Sequence, residues 1–304
     1  MSTIKKVAVA GASGSLGKHI TQALLDAGFD VTAISRQDSS AKFPSAVSVK
    51  RADFSSVDSI AEAIRGQDAF VSALGTNAAV SGAQNPLVDA VIAAHVPRFV
   101  PSEFGVPTRN LNGHKIGKLL AGKIETTDRL IELSKKYDWF SWTGISNGLF
   151  FDWSIDLGIG YNIRDKTATV VDSGDEPYST STLPFVGRAV AAALKKPAET
   201  KNKFLHVAGI TTTQNEVVKV LQEATGQEFK ITKVRSEDLD KSAEDKIAKG
   251  DFGGAFSDSL FHYLFADGGK HVLQPEERAN KLLGLADEDV KQVVVRLVKE
   301  SAAK

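Results

Sequence analysis

The spacing of apolar and polar positions divides the first half of the chain into alternating short and long segments. Lys6 to Ala10 is a short β-branched run closed by Gly11, and Leu16 to Ala27 carries its apolar residues at helical spacing until Gly28 ends it. This predicts strand, glycine turn, helix. Asp30 to Ser35 reads as the next strand, so the opening is a βαβ unit with parallel pairing and a right-handed crossover. The alternation continues with Val47 to Lys50 as strand, Ser56 to Ile64 as helix, Ala69 to Leu74 as strand, Pro86 to Ala94 as helix and Arg98 to Pro101 as strand. Lys118 to Lys136 has the spacing of one long helix, and Trp139 to Gly144 that of a sixth strand.

Five or six strands alternating with helices imply an α/β fold, a Rossmann-type doubly wound parallel sheet. Regularity falls away after Asn147. Residues 1–150 are therefore expected to form a dinucleotide-binding domain and 151–304 a smaller C-terminal α/β lobe that takes the substrate. Pro184 to Lys195 as helix and Phe204 to Val207 as strand would return to the edge of the large sheet, so that about 180–210 belong with it. The lobe would include Thr213 to Thr225, a helix opened by a Thr213 and Glu216 capping box, and the aromatic, glycine-rich stretch from Gly250 to Gly269.

Composition changes this picture mainly by exclusion. The 304 residues hold 37 basic and 37 acidic side chains, so no excess charge calls for nucleic acid or an anionic membrane surface. Cysteine is absent, which removes disulfides, thiolate nucleophiles and cysteine-based metal sites. Met1 to Lys6 shows no leader pattern, and the apolar runs are far shorter than the roughly 20 residues that span a bilayer. A cytoplasmic protein is expected. His19, His95, His114, His206, His262 and His271 show no metal-ligand spacing, so no metal is expected either.

The candidate chemistry begins at Gly11, Gly14 and Gly17, which make GxxGxxG (GASGSLG) between the first strand and the first helix. The first glycine suits the tight turn, the second lets backbone approach a pyrophosphate, and the third lets helix and strand pack closely. The helix start, with Ser13, Ser15 and Leu16, would present N–H and hydroxyl donors to phosphate. At the end of the second strand, 19 residues after Gly17, an acidic residue would accept the ribose hydroxyls of NAD; this chain has Arg36. A guanidinium there suits a 2′-phosphate, with Lys42 adding charge, so NADP(H) is the expected cofactor. The plain alternative is a solvated arginine beside Asp38.

Ligands of such folds sit beyond the carboxyl ends of parallel strands. That position brings in Leu74, Gly75 and Thr76 after the fourth strand, and Ser102, Glu103 and Phe104 after the fifth.

GASGSLG, ISR closing the second strand and RFVPSEFG from Arg98 to Gly105 together resemble the isoflavone reductase-like and NmrA-like family of atypical short-chain dehydrogenases. The C-terminal half looks more like fungal relatives than plant ones. The resemblance implies an NADPH-binding Rossmann domain, a small lobe and a substrate cleft between them. It also implies a lysine on the helix after PSEFG as general acid. AGKIETTDRLIE places Lys123 there, with Lys118 one and a half turns upstream as the alternative. Asn147 and Phe150, ending the sixth strand, fall where that family approaches the nicotinamide.

Ordinary short-chain dehydrogenases use Tyr-x-x-x-Lys, and none of Tyr137, Tyr161, Tyr178 or Tyr263 has a lysine four residues on. Two functions are therefore in play. One is an NADPH-dependent reductase of a small aromatic or unsaturated carbonyl compound, with Phe252, Phe256, Phe261, Tyr263 and Phe265 as candidate pocket residues. The other, implied by the NmrA side of the resemblance, is a regulator that binds NADP(H) without turnover and reports to a protein partner. The Arg36 reading makes a direct prediction: in a fluorescence titration, NADPH binds more tightly than NADH, and the reverse order would refute it.

Overall fold

The computed structural model describes residues 3–111 and 113–302. Residues 1 and 2 of the leaderless Met1 to Lys6 reading lie outside that range. The first half contains β1 (Lys6–Ala10), α1 (Ser15–Asp26), β2 (Asp30–Arg36), β3 (Ser48–Ala52), α2 (Val57–Ile64), β4 (Ala69–Ser72), α3 (Thr76–Val80), α4 (Asn85–Ala93), β5 (Arg98–Val100), α5 (Lys115–Leu119), α6 (Ala121–Lys136) and β6 (Ser141–Ser146). The second half contains β7 (Leu149–Phe150), α7 (Phe151–Asp156), β8 (Tyr161–Asn162), β9 (Thr167–Val171), β10 (Tyr178–Ser181), α8 (Leu183–Lys195), β11 (Lys203–His206) and β12 (Ile210–Thr212). It ends with α9 (Gln214–Thr225), β13 (Lys230–Val234), α10 (Ser236–Ala248), α11 (Phe252–Phe265), α12 (Asn280–Leu283) and α13 (Val290–Ala302).

Seven strands form one parallel sheet in the order β11-β6-β5-β4-β1-β2-β3. The order reverses at β1, the crevice where doubly wound sheets bind ligands. Strands β4, β5 and β6 are buried along their whole length, as expected for strands covered on both faces, whereas β3 is an exposed edge. One apolar cluster joins β1 and β2 to α1 and α8; a second joins the other face to α2, α4 and α6. The chain returns from 183–206 to build this sheet: α8 packs on α1, and β11 pairs with β6.

Arg98 at the start of β5 is among the largest side chains fully buried in the core. It donates to Ser141 Oγ (2.9 Å), Thr143 Oγ1 (3.0 Å), Thr200 Oγ1 (3.2 Å) and the Pro197 carbonyl (2.6 Å), tying β5 to β6 and to the approach to β11. Burial pulls its guanidinium down to about 10.

The structure corrects several expectations. The single helix expected over 118–136 is two: α5 and α6 meet at Leu120, whose backbone (φ −103°, ψ 13°) has left the helical region. Glycines 117 and 122 flank the joint and weaken helix propensity there. The break frees α5 to pack on α11 while α6 lies along β6. The sixth strand begins at Ser141, because Trp139 is taken by ring contacts with His95, Tyr137 and Phe140. Only half of the capping box forms: Thr213 Oγ1 accepts from the Glu216 N–H, but the Glu216 carboxylate accepts from Thr212 Oγ1 instead of reaching back to the cap.

Most of the remaining chain forms two small three-stranded sheets, β12-β10-β7 and β13-β9-β8, with α7, α9 and α13 around their own apolar cluster. These strands lie outside the regular strand and helix alternation that reveals the large sheet.

The glycine turn generates a stability prediction. A Cβ at Gly17 would lie 1.9 Å from the Gly11 carbonyl oxygen, a backbone atom that cannot swing aside. Gly17→Ala should destabilise the fold by roughly 2 kcal/mol or more, seen as a lower urea midpoint at unchanged m-value.

Candidate functional site

The turn after β1 shows why the glycines stand where they do. Gly11 has φ +77°, and a Cβ on it would meet the Ala73 carbonyl oxygen at 2.5 Å. With the contact at Gly17, this draws the ends of β1 and β4 and the start of α1 together. Gly14 is the N-cap of α1, and no side-chain hydrogen bond caps the helix there. A helix start left open in this way is suited to an anion.

Gly14, Ser15 and Leu16 form one end of a cavity of about 620 Å³. Its walls continue through Ala73 to Asn77, Ser102, Phe104 to Val106, the α5–α6 joint with Lys118 and Lys123, and Gly148 to Phe150. Trp153 and the α11 residues Phe252, Phe256 and Leu260 complete it. The volume is that of an ordinary small-molecule site. Its polar side chains are Ser15, Thr76, Asn77, Ser102 and the two lysines; the rest of the lining is aliphatic, aromatic or glycine.

Lys123 is only 4% exposed, and its Nζ donates to the Phe104 carbonyl at 2.9 Å. Desolvation pulls its ammonium below the usual lysine range, and the nearby Glu103 carboxylate partly offsets this. Glu103 is fully buried and accepts from Thr127 Oγ1 (2.5 Å) and Thr108 Oγ1 (2.8 Å). Burial pushes its carboxyl up, while Lys123 and the two hydroxyls pull it back.

The same loop is locked from behind. Gly105 N–H donates to Asn147 Oδ1 at 3.0 Å, and the Gly105 carbonyl accepts from the N–H groups of Asn147 and Gly148. Ser102 N–H donates to Gln84 Oε1, and its hydroxyl donates to the Leu74 carbonyl. The Phe104 carbonyl thus stands on a backbone held on both sides, at Ser102 and at Gly105.

Of the residues expected at the site, Gly14, Ser15, Leu16, Leu74, Gly75, Thr76, Ser102, Phe104, Lys123 and Phe150 line this cavity. Gly11 and Gly17 shape its floor without lining it, and Ser13 is exposed on the turn. Glu103 and Asn147 stand behind the wall, their polar atoms spent on Thr108, Thr127, Gly105 and Gly148. Arg36 and Lys42 lie outside the cavity; the Arg36 side chain is 74% exposed, with Asp38 3.9 Å away. Phe252 and Phe256 face the cavity, but Tyr263 and Phe265 are core, with Phe261 packed on them. His114 meets a separate small cavity, its ring edge-on to Tyr263 and His271.

Sequence reasoning missed Val80, Val106, Leu119, Leu120, Leu260 and Trp153 as wall residues. Of these, Trp153 lies three residues after the expected Phe150, in the contiguous run SNGLFFDW from Ser146, a signal that could have found it.

The NmrA-like family model matches residues 3–250. Oxidoreductase aprR of Aspergillus flavus is 34% identical over 97% of this chain and 99% of its own length. Isoflavone reductase homolog P3 of Arabidopsis thaliana is 26% identical over 81% of this chain and 83% of its own. Among solved structures, AtPrR2 with NADP+ and (+)pinoresinol superposes with a TM-score of 0.80 over 98% of this chain and 99% of that one. At 21% identity that likeness speaks for the fold.

The buried carboxylate behind the cavity wall gives a testable consequence. Thr127→Val keeps the side chain's shape but removes one hydroxyl donor from Glu103, and should cost roughly 1–3 kcal/mol, measured by urea unfolding at pH 7.

Proposed function

This chain belongs to the NmrA-like family, and we propose that it is an NADPH-dependent oxidoreductase that reduces a small aromatic or unsaturated carbonyl compound with Lys123 as proton donor. The family resemblance read from GASGSLG, ISR and RFVPSEFG holds, and the fungal relative is matched over more of the chain than the plant one. The observation that carries the proposal is the placement of Lys123: a buried ammonium in the wall of the same cavity that begins at the open start of α1.

The residues present fit a dinucleotide. The Gly11 and Gly17 contacts bring the start of α1 to the crest of the sheet, where backbone N–H groups and the Ser15 hydroxyl could hold phosphate. Arg36 is exposed and close to one exposed carboxylate, which leaves it able to turn toward a 2′-phosphate. When bound, NADPH supplies the hydride, the chemistry this chain lacks.

The remaining work falls to the protein. Reduction of a carbonyl or enone builds negative charge on oxygen, and the Lys123 ammonium can stabilise that charge and then donate a proton. The Phe104 carbonyl fixes Nζ at the wall and spares it from wandering into solvent. The largely apolar lining excludes water and so strengthens the charge interaction. An open cavity with a lysine in its wall supports turnover over the alternative, an NADP(H)-binding regulator that turns nothing over.

Lys123→Ala should lower turnover of aromatic enones, ketones or quinones by about 100-fold or more, followed at about 340 nm for the nicotinamide chromophore, with NADPH binding retained. Binding without turnover across that panel would favour the regulator. Because burial lowers the Lys123 ammonium, the proton donor is lost as pH rises through a value below 10.5. The kcat/KM profile of the wild type should therefore fall on its basic side below that value, and the fall should be absent from the residual activity of the variant.

A further inference from the structure

Lys118 and Lys123 line one cavity from successive helices, but only Lys123 is buried. Lys118 is exposed, and among the described residues its ammonium has no hydrogen-bond acceptor and no carboxylate within ion-pair reach. Nearby cations are treated differently. Lys115, one turn earlier, is clamped by Asp240 (2.6 Å) and Glu244 (2.7 Å), and Arg109 is paired with Asp128. Of these three cations only the unpaired Lys118 lines the cavity.

The wall around it carries no compensating charge. Among the described residues no aspartate or glutamate lines the cavity, and Leu119, Leu120, Phe252, Phe256 and Leu260 give it apolar walls. A fixed positive charge beside low-dielectric walls attracts an anion more strongly than the same lysine on an open surface. An apolar wall also discriminates against a polyhydroxylated ligand, whose hydroxyls would be left without partners.

We propose that the molecule taken by this cavity carries a carboxylate on its apolar frame, and that Lys118 is the specificity-determining residue that pairs with it. This rests on the reading above that the cavity accepts a small apolar molecule beside NADP(H). Lys123 meets the reacting oxygen, and Lys118 holds the acid. The two lysines that the sequence offers as rivals for one role then have separate ones.

The test is a binding measurement, so it does not depend on turnover. Cinnamate and methyl cinnamate, which differ in charge but share a flat frame, are titrated calorimetrically into the protein saturated with NADP+. The wild type should bind the acid about fivefold more tightly than the ester, as one partly desolvated ion pair allows. Lys118→Gln should bring that ratio to about one, Lys118→Arg should keep it, and added salt should shrink it in the wild type.

Equal binding of acid and ester by the wild type overturns the proposal, as does failure to bind either. An unchanged ratio in Lys118→Gln overturns it too, and so does a Lys118→Gln defect confined to NADP+. An acid preference in a protein that oxidises no NADPH with any carbonyl of the panel would sink the reductase reading and leave this one standing.

Discussion

The ammonium of Lys123 is buried, and a buried charge must be solvated by the protein itself or lose it. The loop from Pro101 to Val106 is that solvent. It offers the Phe104 carbonyl directly and the Glu103 carboxylate at longer range. Glu103 then needs partners of its own and finds them in Thr108 and Thr127. Gly105 is held by Asn147, and Ser102 by Gln84 and Leu74. One buried cation thus fixes the positions of β5, α6 and the end of β6 relative to one another.

The PSEFG motif lines the cavity at Ser102, Phe104 and Gly105, yet its part in the site is mainly to hold Lys123. Its glutamate acts from behind the wall, and its phenylalanine contributes a backbone carbonyl. The arginine of the preceding RFV is buried away from the cavity. Arg98 is a structural cation, spending its donors on hydroxyls and a carbonyl that join three neighbouring strands of chain. A residue pattern can therefore mark a family through packing as much as through catalysis.

The small sheets and α11 complete the cavity from the other side. Phe252 and Phe256 come from the same helix as Tyr263 and Phe265, but its first half faces the cavity and its second half is core. The cavity mouth is consequently built on an element anchored at one end, with the exposed Phe252 at the other.

What the sequence determines by itself is local. Strand and helix periods and the glycine turn are legible because each is set by neighbours a few residues away, and their regular alternation then implies the parallel sheet. The family follows from GASGSLG and RFVPSEFG for the same reason, since they are contiguous. The strands from β7 to β10 are not legible, because they lack the regular alternation with helices that marks the large sheet and are held by partners remote in sequence. The helix break at Leu120 escapes notice because the packing of α5 on α11 and of α6 on β6 overrides a continuous helical pattern. Lys118 and Lys123 are alike in sequence, two lysines among similar neighbours near the same helix start. Only the tertiary structure separates them, because burial and charge environment are set by what folds over a residue: the PSEFG loop closes over Lys123 and leaves Lys118 at the edge of the cavity.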